Sequence, residues 1–195
     1  MKKIYCLSLI IFLINLNASS QQQADSAFYS AKESQWLKTK TGFWNVVMTM
    51  QATIDSKPII IKDIEAERSM VGAFCLHEIM QPTAGASMPK FKRLSDLDYN
   101  YNDTRWDYMS IDTRITGGIM FFTNFGLTGD SIVSYMLNFP HPGLGPKQTD
   151  RGKMVRVRNV VLTIDANHDV IKQYWKLTDG KEWLAIVYDY TRRKD

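Results

Sequence analysis

At 195 residues the chain is long enough for one domain with its own apolar core, with room for at most an appendage. Lys and Arg number 24 against 20 Asp and Glu, but two of the lysines and none of the acids fall in the first twenty residues. Without that segment the balance is 22 basic to 20 acidic, which removes the charge argument for a nucleic-acid partner.

Residues 1–20 read as an export signal. Lys2 and Lys3 precede an apolar run from Ile4 to Leu16, and the small residues Ala18 and Ser20 place cleavage before Gln21. A membrane anchor needs about 20 apolar residues. Asn15 and Asn17 end this run early, so the mature form is expected to have no membrane span and to work in the periplasm or outside the cell. A lipid anchor needs a cysteine after the run, whereas Cys6 lies near its start. Cys6 leaves with the signal, so Cys75 has no partner for an internal disulfide, and within "GAFCLHEI" it reads as a buried, inert thiol.

Residues 21–41 are predicted to form a short N-terminal helix and tail. Phe28, Lys32 and Trp36 fall at helical spacing, as do Tyr29, Glu33 and Leu37. From Gly42 the period changes to two. Trp44, Val46, Met48, Met50, Ala52 and Ile54 share one face, which predicts a strand over 42–54 ended by the turn residues "DSKP". Turn signals then recur at strand spacing, at Gly72, "NYND", Gly117-Gly118, Gly129-Asp130, Asn167 and Asp179-Gly180. About ten strands follow from this spacing, with no second helical pattern long enough for a parallel crossover. The predicted fold over 42–193 is mainly β, a single antiparallel meander closed into a barrel of about 8–10 strands, since closure removes exposed edges. The stretch "PHPGLGPKQTDRG" at 140–152 is predicted as a long rim loop, either a ligand gate or a plain hairpin connection. Arg151, Lys153, Arg156 and Arg158 alternate as on a solvated strand face, which is preferred here to an anion patch.

The segments "LKTKTGFW", "GAFCLHE", "YNYNDTRWDYMSIDT" and "DGKEWLAIVYDYTRR", taken in order, resemble the bacterial domain-of-unknown-function family 1579. The matching positions are Gly42-x-Trp44, Phe74 and Glu78, Tyr99, Asp112-Thr113, Gly180-Lys181-Glu182 and Tyr190-Thr191-Arg192. The resemblance implies a lipocalin-like, calycin-type barrel and no particular activity. In such barrels the Gly-x-Trp opens the first strand and a basic residue of the last strand covers the indole, so Trp44, Tyr190 and Arg192 are expected to close the barrel structurally. Ser110 stands where members often carry Trp, and Val187 where they often carry an acid.

Catalytic signatures are absent. His77, His141 and His168 show no paired ligand spacing, and adjacent His77 and Glu78 point to opposite strand faces, so no metal is predicted. No cofactor is predicted either, with haem on His77 as the alternative to a hydrogen-bonded structural histidine. The carboxylate pairs Asp96/Asp98 and Glu65/Glu67 read as outward and solvated. The chain is rich in aromatic residues, with 5 Trp, 9 Tyr and 9 Phe, several at alternating positions beside methionines. A barrel of this size encloses either packed side chains or one small ligand. The ligand-facing candidates are Met48, Met50, Glu78, Tyr108, Asp112 and Tyr188. The reading is an exported binding protein for a small, largely apolar molecule, with a fully packed interior as the equal alternative. Two other readings stand beside it. One is an enzyme on the same barrel using Glu78, Asp112 or His77 as acid–base groups. The other is an envelope accessory protein acting through its outer surface.

Overall fold

The computed structural model describes residues 31–115, 118–124, 131–143, 150–178 and 180–194. The segment expected to be an export signal, residues 21–30 of the N-terminal segment and residues 144–149 of the rim stretch lie outside the described residues. One helix, α1 (Lys32–Thr39), precedes ten strands: β1 (Gly42–Met50), β2 (Ile59–Val71), β3 (Cys75–Pro82), β4 (Arg93–Asn100), β5 (Arg105–Asp112), β6 (Met120–Thr123), β7 (Ser131–Pro140), β8 (Met154–Asp165), β9 (His168–Leu177) and β10 (Glu182–Arg192). Each strand pairs antiparallel with its neighbours in sequence, and β1 pairs with β10, so the meander closes into a barrel. The closing register sets Trp44 against Arg192 and Met48 against Tyr188.

Alternation carries the inner face through the whole barrel. In β1 Trp44, Val46 and Met48 are buried while Phe43, Asn45 and Val47 are exposed. In β4 Arg93, Ser95, Leu97 and Tyr99 are buried and the intervening residues are not. Register shifts interrupt the ladders between β1 and β2, β7 and β8, β8 and β9, and β9 and β10. Such bulges bend and twist a sheet, which is what closing it demands.

Two boundaries differ from the sequence pattern. The first strand ends at Met50 rather than Ile54. The Ser56 hydroxyl both accepts from Thr53 N and donates to Thr53 O at 2.9 Å, so the turn begins before the alternation runs out and leaves Ile54 46% exposed. The segment "IMFFTNFGL" contributes only the four residues of β6, and its part from residue 125 lies outside the described residues.

Helix α1 covers one mouth of the barrel. Leu37 is fully buried, Ser34 is buried beside it, and Trp36 meets Trp106 of β5 edge-on with ring centroids 5.3 Å apart. Glu33 in the first turn and Lys38 in the last complement the helix dipole. No described helix is long and apolar enough to cross a membrane.

Candidate functional site

The Gly-x-Trp triplet explains itself once Arg192 is placed. Gly42 has φ 118°, a conformation that residues with a side chain rarely adopt, and a Cβ there would sit 2.9 Å from Arg192 Nη1 and make that guanidinium shift. Trp44 is fully buried and its indole N–H donates to Lys40 O at 3.1 Å. The Arg192 guanidinium lies 4.4 Å from the indole centroid and the Arg68 guanidinium 4.8 Å from it. Arg192 also donates to Thr39 O and Thr41 O, which supplies partners for carbonyls at the negative end of α1. Tyr190, fully buried, meets Trp44 edge-on at 6.4 Å.

Below this closure sits a buried ionic cluster. Arg68 Nε donates to Glu78 Oε2 at 2.8 Å and Arg68 Nη1 to Asp169 Oδ2 at 2.9 Å. Lys40 Nζ donates to Asp169 Oδ1 at 2.7 Å. Tyr190 and Ser95 hydroxyls donate to Glu78 Oε1 at 3.1 and 3.3 Å. Burial opposes the charge on Glu78, but Arg68 and then Arg93 outweigh it and hold the carboxyl below its usual range. Burial pushes the Tyr190 phenol up, followed by the Glu78 charge, so the hydroxyl stays protonated and donates. With both oxygens engaged and its proton held off, Glu78 is an acceptor in a fixed network and a poor general acid.

A cavity of about 30 Å³ adjoins this cluster, walled by Trp36, Lys40, Glu78, Leu97, Tyr108 and Ile171 among others. A second, of about 20 Å³, lies among Arg93, Ser110, Asp112, Gln173, Trp175 and Tyr188. One water occupies about 10–15 Å³ on this scale, so the two hold roughly two waters and one. The apolar core includes Met80, Val155, Val157 and Ile64.

The expected ligand-facing residues therefore divide. Glu78 and Tyr108 line the first cavity, and Asp112 and Tyr188 the second. Met48 is buried, with its sulfur 4.0 Å from Arg114 Nη1, and Met50 is half-buried; neither lines either of these two cavities. Asp112 is turned toward Arg114, which it binds through both oxygens with a shortest contact of 2.6 Å. His77 lies on the outer face, 2.6 Å from Asp96 Oδ1, and offers nothing to a group inside the barrel. Among the described residues no three His, Cys, Asp or Glu side chains converge as a metal site would need.

Sequence reasoning passed over Lys40, Arg68, Arg93 and Asp169, each buried to 6% exposure or less. Arg68 follows Ile64 and Ala66 on the inward parity of β2, and Asp169 precedes Ile171 and Gln173 on that of β9, so parity marked these two as inward.

Solved structures similar to this one include two with the same overall fold. Rv2717c from M. tuberculosis shares 14% identity over 84% of this chain and 99% of its own, with a TM-score of 0.56. The S-type phycobiliprotein lyase CPES from Guillardia theta shares 10% identity over 88% of this chain and 98% of its own, with a TM-score of 0.53. At these identities the likeness is one of fold. No functionally curated protein matches the chain. The family model for DUF1579, a protein family of unknown function, matches residues 30–192, and the chain belongs to that family.

Proposed function

We propose that the protein is an exported binding protein that holds a small, largely apolar molecule inside the barrel. The observation that supports this best is that Glu78, Tyr108, Asp112 and Tyr188 all line interior cavities. A barrel that only had to be stable would gain from filling such space with apolar groups, because buried charges and voids each lower stability. The cavities are smaller than any organic guest, so the wall has to yield. Met120, a flexible thioether in the wall of the second cavity, is suited to that. The acid–base alternative has less support, since Glu78 is bound to Arg68 and Asp112 to Arg114.

Native mass spectrometry of protein purified gently from its own source tests the reading. A mass excess lost on denaturation is the expected result, and the bare polypeptide mass alone would count against it. The same sample addresses export, because N-terminal sequencing should begin at Gln21 and a start at Met1 would contradict secretion.

A further inference from the structure

The second cavity has a chemistry of its own. Arg93 opens β4 with its side chain inside the barrel, and the residue is 2% exposed. Its Nε donates to Ser110 Oγ at 3.1 Å and its Nη2 to the Tyr108 hydroxyl, while its Cζ lies 4.5 Å from the Tyr188 ring centroid. The remaining Nη1 is buried without a partner. Among the described residues, no carboxylate forms a salt bridge with Arg93. Asp112 stands directly across from it on β5, but Arg114 takes both Asp112 oxygens. A second donor on the same cavity, the Trp175 indole N–H, is likewise buried without a partner.

Each buried carboxylate is engaged elsewhere: Glu78 binds Arg68, Asp169 binds Lys40 and Arg68, and Asp112 binds the solvent-exposed Arg114. A buried guanidinium with a free N–H and no carboxylate in contact is costly unless something supplies an acceptor there. The rest of the lining combines apolar Ile115, Met120, Phe122 and Ile186 with Ser110, Gln173, Tyr188 and the Arg114-bound Asp112.

We infer that the second cavity receives the carboxylate of a small monocarboxylic acid, with Arg93 Nη1 and Trp175 Nε1 as its donors and the apolar side chains of the lining around its hydrocarbon part. A monoanion supplies the acceptor and the single charge that one guanidinium can neutralise, whereas a phosphate dianion would bring a second charge without a partner. Ser110 makes this space, because a larger side chain at that point of β5 would occupy the cavity beside Arg93. The inference rests on the binding reading above and specifies the ligand's class.

Calorimetric titration of the mature protein with octanoate and with octan-1-ol tests it on the unaltered chain. The two probes share a hydrocarbon tail and differ in charge. Octanoate is expected to bind at least about 10-fold tighter, the discrimination that hydrogen bonds to a charged group supply. Arg93→Met should abolish that preference, and Trp175→Phe, which keeps an aromatic ring but lacks the N–H, should reduce it severalfold. If Arg93→Met does not fold, the wild-type comparison and Trp175→Phe still decide. Equal binding of the two probes, or tighter binding of the alcohol, would overturn the carboxylate inference and leave the binding reading intact. No binding of either probe would also overturn it, and the native mass measurement then judges the broader reading separately.

Discussion

Replacing Asp169 by Asn removes one negative charge from a place where two cations are buried against it. Lys40 Nζ lies 2.7 Å from one carboxylate oxygen and Arg68 Nη1 2.9 Å from the other, with side-chain exposures of 3%, 6% and 4% for Lys40, Arg68 and Asp169. Arg68 keeps Glu78 after the change, whereas Lys40 loses its carboxylate partner. Breaking a buried pair by removing one partner costs about 3–5 kcal/mol, because a charge stays behind uncompensated. Against a total stability of about 5–15 kcal/mol this is a large fraction. At about 2–4 °C per kcal/mol for a domain of this size, Tm should fall by about 6–20 °C. Urea titration and calorimetry, run side by side, read both quantities. The double replacement Lys40→Met with Asp169→Leu should recover most of the loss, since an apolar pair leaves no orphaned charge. A loss below about 1 kcal/mol for Asp169→Asn would refute the reasoning, because that is the value of a solvated surface pair.

Three further outcomes follow from the same geometry. Gly42→Ala should destabilise the barrel by about 1–3 kcal/mol, from the strain of φ 118° and displacement of Arg192; a neutral change in the urea midpoint would contradict the closure described for Trp44. Glu78, whose carboxyl is held below the ordinary 4.5 despite burial, contributes stability that is complete above about pH 4.5 and is lost as pH falls through its lower folded value. Glu78→Gln should flatten that acid limb in a pH series of denaturation midpoints, and an unchanged limb would show that other carboxyls carry it. Burial, then the Asp96 and Asp98 charges, push the Cys75 thiol up to about 11, so its iodoacetamide alkylation at neutral pH should run about 100-fold slower than in the unfolded chain; equal rates would disprove the inert assignment.

The strands were legible because alternation is a local signal and most of the buried faces are apolar. Trp44, Val46 and Met48 announce the inside of β1 unaided, and Tyr188 and Tyr190 do so for β10. The closure by Arg192 was legible only through resemblance, since its contact with Trp44 joins the first strand to the last. The ionic cluster was not legible. Lys40 lies beyond the helix and outside any strand, so no periodicity assigns it a face. Its bond to Asp169 spans 129 residues and that of Arg68 to Asp169 spans 101, distances over which a single sequence carries no pairing signal. Arg93 was masked by Leu94, the apolar neighbour that points the other way. Parity did report Arg68 and Asp169 as inward, but charged residues on an inward parity become meaningful only when a partner is in view.

The most direct measurement of the central claim is a crystal structure of protein purified from its own source, at a resolution that separates water from larger molecules. The binding account predicts continuous density, longer than a water, beginning within hydrogen-bond distance of Arg93 Nη1 and running along Phe122 and Ile186. Isolated waters in both cavities, with the side chains as described here, would contradict it.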